Sequence, residues 1–309
     1  MRKIFLFPGQ GVQYAQMYST LKSYEKEVSV VFEEAATEVG RNVKDLCQHL
    51  PNDALLQTEN TQVAMLTMNM AYYKLLTNRG VLPNVVAGHS LGQYSAFVAS
   101  GCLSFKEVIR IVNLRGQLMS NIGRKGCMYL VLGLEEEVVK DICAQVSNAN
   151  GIVTIALYNT PSHIIIAGDE SCVENSVPLF ESRGALKVQK LAVSHAFHTD
   201  IMAEMLDDFK EAVEKLELAP LSKIKIVLNS TGQFANDHLE IKTEMISQCI
   251  LPVRWSQSIQ YLSKEFPNSK YYEVGPGCVL SKMARQIDKK CSVENLDNIK
   301  KLQHVLSSG

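Results

Sequence analysis

The chain has 309 residues, 46% hydrophobic and 20% charged, enough apolar material for one large domain or for a large domain carrying a smaller insertion. Lys and Arg number 31 against 32 Asp and Glu, so no net field draws the protein to nucleic acid or to an anionic membrane surface. No stretch approaches the length of a membrane span, and the eight cysteines are scattered without a Cys-x-x-Cys pair, which argues against a zinc site or a disulfide framework. Reduced thiols and a cytoplasmic location are the expectation.

Residues 4–7 are a short apolar run that stops at Pro8-Gly9-Gln10-Gly11, which predicts a buried strand feeding a tight loop and is too short for a signal peptide. Residues 61–79 carry helical spacing up to Gly80. Val85-Val86-Ala87 then leads into Gly88-His89-Ser90-Leu91-Gly92, after which residues 94–99 resume a helical pattern. Residues 104–122 predict one amphipathic helix with Arg110 and Arg115. Strands at 128–132, 152–158, 163–167 and 186–193, with helices at 135–146 and 170–183, make a βαββαβ order, the split arrangement of a ferredoxin-like unit. From His198 onward, a long helix (201–216) and short strands (224–228, 271–274) return. The fold class expected is α/β: a hydrolase-like domain with a parallel sheet over 1–124 and 194–309, and a small ferredoxin-like subdomain over 125–193.

Gly88-His89-Ser90-Leu91-Gly92 has the form of a nucleophile elbow, in which flanking glycines allow a strained strand-to-helix turn to project the serine hydroxyl. The Leu91 N–H, opening the next helix, would face an oxyanion. As an isolated pentapeptide the motif fits a plain tight turn about as well, and only the strand-turn-helix context separates the two readings. A serine nucleophile needs a base, and Ser194-His195-Ala196-Phe197-His198 lies where the chain returns from the small unit to the large one. On spacing alone these are equally two satisfied loop histidines. His89 reads as a structural neighbour of the serine, and Gln10 offers a second N–H at a strand end.

Together these segments resemble the malonyl-CoA:acyl carrier protein transacylase family, which includes the acyltransferases of polyketide synthases. Phe7-Pro8-Gly9-Gln10-Gly11, the Ser90 elbow, Leu114-Arg115-Gly116-Gln117-Leu118-Met119, Ala196-Phe197-His198-Thr199, Gln248 with Pro252-Val253-Arg254-Trp255, and Glu273-Val274-Gly275-Pro276-Gly277 are similar to its ordered motifs. The resemblance implies a Ser90–His198 dyad whose imidazole is oriented by a backbone carbonyl near Gln248. It also implies an oxyanion hole from the N–H groups of Gln10 and Leu91, and Arg115 holding a malonyl carboxylate. His89, Met119, Phe197 and His195 would surround the acyl group. The implied substrate is malonyl-CoA and the implied partner an acyl carrier protein with its phosphopantetheine thiol. No metal or other cofactor, nucleic acid or membrane is expected, and a monomer is the default.

The His-Ala-Phe-His quartet 195–198 and Gln13-Tyr14 have a polyketide character, with a fatty-acid role left open. Several positions depart from the family pattern: Val12 for serine, Gln93 for glutamate, Cys127 and Tyr129 for alanine, Leu157 for asparagine and His163 for glutamine. If Tyr129 and Leu157 line the acyl pocket, the extender unit is expected to be unusual. Two alternatives stand beside the transferase: a proofreading hydrolase with the same dyad, and a non-catalytic acyl-binding module. Lys187 and Lys190 are expected at a basic rim for the carrier, or else are solvated strand ends.

Overall fold

Ile4 and Leu6 enter one apolar cluster with Val85, Ala87 and Trp255, while Phe5 and Phe7 enter a second with Val86 and the helices of the opposite face. Alternate residues of one short strand are thus buried on both sides, so the sheet is covered on each face, as parallel sheets usually are. The structure, a computed structural model, describes residues 1–48, 57–149, 151–193 and 195–308. The strands among these residues are β1 (Lys3–Phe7), β2 (Val85–Gly88), β3 (Cys127–Leu132), β4 (Val153–Thr160), β5 (His163–Gly168), β6 (Lys187–Lys190), β7 (Lys225–Val227), β8 (Lys270–Glu273) and β9 (Val293–Asn295).

The larger sheet has the order β7-β2-β1-β8-β9 with every pair parallel. The central strands β1 and β2 therefore end side by side, and the loops that follow them, 8–13 and 89–91, open onto the same crevice. The helix Thr58–Thr77 has 15 buried residues because the helices Glu25–Val39, Val43–Gln48, Gly92–Ser100 and Phe105–Ser120 pack around it while Tyr73 meets Phe5 and Phe7 of β1, which is why its sequence shows no single apolar stripe. The helix Phe105–Ser120 begins at Ser104 with a capping box, Ser104 Oγ accepting from Glu107 N–H while the Glu107 carboxylate accepts from Ser104 N–H.

The smaller sheet is antiparallel in the order β4-β5-β3-β6, the strand order of a ferredoxin-like unit, with the helices Glu136–Val146 and Glu170–Ser182 sharing its apolar cluster. A register shift in β4 between Ile155 and Leu157 lets the strand pair with the large sheet's side of the molecule. Tyr158 N–H donates to the Val253 carbonyl and Val253 N–H to the Ala156 carbonyl, each at 2.9 Å.

Two sequence expectations change in detail. The strand expected over 186–193 ends at Lys190; Leu191 N–H still donates to the Met128 carbonyl at 2.9 Å, and Leu191 and Val193 line a cavity beside Ser90. The long helix expected over 201–216 is a tight 3-10 turn, Asp200–Met205, followed by an α-helix, Leu206–Glu214. The tight turn follows from Thr199, whose hydroxyl accepts from Ile201 N–H directly after the left-handed backbone of His198. Of the residues flanking the junction, Ser194 lies outside the described residues.

Candidate active site

Ser90 sits between β2 and the helix Gly92–Ser100 with φ +50°, a left-handed conformation that costs a non-glycine residue of order 1–3 kcal/mol. Two glycines make the turn possible. A Cβ on Gly9 would overlap the His89 carbonyl, and one on Gly92 would overlap the Phe7 carbonyl, so the loops after β1 and β2 touch backbone to backbone. That contact brings the Gln10 and Leu91 amides to one small cavity. Among the described residues neither amide N–H donates to a protein acceptor, as two oxyanion donors require.

His198 Nε2 lies 2.8 Å from Ser90 Oγ. Its Nδ1–H donates to the Gln248 carbonyl at 2.8 Å, with the Leu251 carbonyl at 3.2 Å. A carbonyl only accepts, so the proton is fixed on Nδ1 and Nε2 is free to take the serine's proton. The ring is buried, and that burial, then the positive charge of Arg115, pushes its pKa down to about 3. In the free protein the imidazole is therefore neutral, the state a base needs.

Arg115 is 2% exposed, and no carboxylate pairs with it among the described residues. Its Nη1 donates to Gln62 Oε1 at 2.8 Å and its Nη2 to Gln248 Oε1 at 3.3 Å, its guanidinium carbon lies 5.3 Å from the Tyr94 ring centroid, and its Nε–H has no acceptor. A buried cation held only by neutral groups bears a desolvation cost that an anion beside it would relieve.

The cavity around these groups, about 120 Å³, is lined by Gln10, His89, Ser90, Leu91, Arg115, Met119, Phe197 and His198, together with Met128, Leu157, Leu191 and Val193. A neighbouring cavity of about 350 Å³ shares Gln10, His89, Leu157, Leu191 and Val193 and continues past His163 to Val279, Leu280 and Met283. His89 faces the site and is also tied into the fold. It lines the two cavities, and its Nε2 is 2.8 Å from Asn159 Oδ1 with the ring edge-on to Trp255, burial pushing its pKa down to about 4. His195 lines neither cavity; its ring lies 6.3 Å from that of Phe197.

A family profile described as "Acyl transferase domain" matches residues 4–295. A malonyl CoA-acyl carrier protein transacylase of Bacillus subtilis (strain 168) is 32% identical over 293 residues, 94% of this chain and 92% of that protein. The chain belongs to this acyltransferase family. A solved malonyl-CoA:acyl carrier protein transacylase from Xanthomonas oryzae pv. oryzae is similar at TM-score 0.94 and 34% identity, with 100% of this chain and 99% of that one covered. A malonyl-transacylase solved with its type II polyketide synthase carrier protein is similar at TM-score 0.95 and 29% identity, both chains fully covered.

Within the transacylase fold, the departures noted in the sequence separate. Leu157 reaches both cavities, carried there by the β4 irregularity, whereas Tyr129 packs at the small sheet's own core and lines neither. Lys190 is not a free rim cation, because Glu170 holds its ammonium at 2.6 Å and Glu174 lies at 3.5 Å. Sequence reading missed Gln62, Met128, Asn159, Asn229 and Glu244. None stands in a quoted motif, and the one signal was an asparagine directly after an apolar run, as at Asn159 after residues 155–158 and Asn229 after residues 226–228.

Proposed function

We propose that this protein transfers a malonyl group from malonyl-CoA to the thiol of an acyl carrier protein through an ester on Ser90. The observation that carries the reading is Arg115: a buried guanidinium without a carboxylate partner among the described residues, in the same small cavity as a serine bonded to a neutral histidine. Ser90 Oγ attacks the thioester carbonyl carbon as its proton passes to His198 Nε2. The negative oxygen then accepts from Gln10 and Leu91 N–H. Collapse breaks the C–S bond, and His198 returns the proton to the departing CoA sulfur. The carrier's thiol then gives its proton to His198, attacks the ester carbonyl, and leaves as malonyl thioester while Ser90 Oγ is reprotonated.

The malonyl carboxylate would take two N–H groups of Arg115, displacing the weaker bond to Gln248 and using donors a lysine does not have. Met119, Phe197 and His89 would enclose the acyl group, with His195 supporting Phe197. Acyl transfer changes no oxidation state, and His198 carries each proton between Ser90 and the two thiols, so this reaction needs no added cofactor. We place the small ferredoxin-like unit at 125–193 within a large catalytic domain, and the protein in the cytoplasm. That location accords with eight free cysteines and with no helix long and apolar enough to cross a membrane among the described residues.

The test follows covalent mass after mixing wild type and Ser90→Ala with malonyl-CoA, then adds holo carrier protein. A malonyl adduct on wild type alone that moves to the carrier supports the reading. An adduct lost to water with no transfer makes the protein a hydrolase.

A further inference from the structure

The Ser90 turn is held by a residue that touches neither the serine hydroxyl nor the substrate cavity. Asn229 Oδ1 accepts from Ser90 N–H at 2.7 Å, and its Nδ2 donates to the Gly88 carbonyl at 2.6 Å, so one side-chain amide spans the elbow. The second Nδ2 hydrogen goes to Gln93 Oε1 at 2.7 Å on the first turn of the following helix, and Oδ1 also accepts from Gln248 Nε2 at 3.2 Å. All the bonding capacity of the amide is used. Gln248 Nε2 in turn donates to the Ser90 carbonyl at 2.9 Å, while the Gln248 backbone carbonyl orients His198.

Asn229 has its own anchor. Its backbone N–H donates to Glu244 Oε1 at 2.8 Å, Ser230 N–H donates to the same oxygen at 3.1 Å, and the Ser230 hydroxyl donates to Glu244 Oε2. Glu244 is buried with no cation paired to it among the described residues, so these donors are what holds the carboxylate in place.

We infer that Asn229, anchored by buried Glu244, is a positioning residue for acyl transfer: it fixes the left-handed turn of Ser90 and ties that turn to Gln248, hence to His198. The role differs from that of Arg115, which selects the acyl group. Loss of Asn229 should slow malonyl and acetyl acylation alike and leave KM unchanged.

The inference rests on Ser90 being the nucleophile, and the experiment separates the two. Full-length wild type, Asn229→Ala, Asn229→Asp, Glu244→Gln and Ser90→Ala are reacted with malonyl-CoA and acetyl-CoA in a quenched time course. Each rate is divided by the fraction of chains labelled at completion, which removes any loss of folded protein. Asn229→Ala is expected to fall about 10- to 100-fold per labelled site for both acyl groups. Asn229→Asp keeps the acceptor for Ser90 N–H but loses both donations, and is expected to fall about tenfold, a partial rescue; Glu244→Gln should show a smaller fall of the same pattern. A rate per labelled site within twofold of wild type for either Asn229 variant, or a loss confined to KM or to malonyl, would overturn the inference. If Asn229→Ala does not fold, Asn229→Asp decides by the same criterion. Labelling of Ser90→Ala would instead overturn the assignment of the nucleophile.

Discussion

Replacing Arg115 by methionine removes the charge and all five donors while keeping an unbranched apolar side chain in a buried site. In the free protein the lost bonds are two, to the neutral oxygens of Gln62 and Gln248. In the proposed malonyl complex they would be a bidentate pair to a carboxylate, each bond worth about 1.5–3 kcal/mol because it joins charged groups. Part of that is offset by the Gln248 bond given up, leaving about 2–5 kcal/mol and a fall in kcat/KM for malonyl-CoA of about 30- to 5000-fold. Acetyl-CoA presents no carboxylate, so its kcat/KM should be unchanged or rise once the unpaired cation is gone. Because the Arg115 charge also holds the His198 pKa down, the acid limb of acetyl acylation should move to higher pH in the variant. Stability should be equal to or above wild type, since an uncompensated buried cation has been removed. The assay is burst labelling of Ser90 with both thioesters across pH, beside a thermal melt. Equal losses for malonyl and acetyl would refute the reasoning, because they would make Arg115 part of the scaffold and not the carboxylate site.

Leu157→Ala should widen the cavity beside Ser90 and raise the kcat/KM ratio of methylmalonyl-CoA to malonyl-CoA by about tenfold, the scale of one methylene in an apolar pocket; Tyr129→Ala should not, and an unchanged ratio in Leu157→Ala would remove that residue from the specificity pocket. Gly9→Ala places a Cβ onto the His89 carbonyl and should cost about 1–3 kcal/mol in a urea melt while displacing the Gln10 amide and slowing acylation; wild-type values in both would contradict the backbone contact. His198 is held at about 3 by burial and then by Arg115, whereas an unfolded histidine titrates near ~6.5, so the unfolded chain carries the extra proton between those values. Stability owed to the neutral ring is complete above pH about 6.5 and drains as pH falls toward about 3, at no more than about 1.4 kcal/mol per pH unit. Wild type should therefore lose stability relative to His198→Gln between pH 7 and 4.5, and a constant difference in urea melts would mean that the imidazole is not buried in its neutral form.

The elements that local chemistry dictates were legible in the chain itself. The Gly88–Gly92 elbow, the amphipathic helix over 104–122 and the βαββαβ order depend on residues a few positions apart, through turn geometry and period, while the Arg115 and His198 segments stand out only through their resemblance to family motifs. The tertiary structure decided what depends on packing across the molecule. Leu157 and Tyr129 read alike as bulky departures on small-domain strands, but an irregularity in β4 and its bonds to Val253 send only Leu157 to Ser90. Arg115 on a helix reads as well for a surface cation as for a buried one, and only the enclosing Gln62, Tyr94 and Gln248 show it without a carboxylate partner among the described residues. Asn229 stands 139 positions from the serine it holds, in a segment with no motif of its own. A hydrogen bond between side chains so far apart is set by where two elements meet, and no local period or turn rule carries that information.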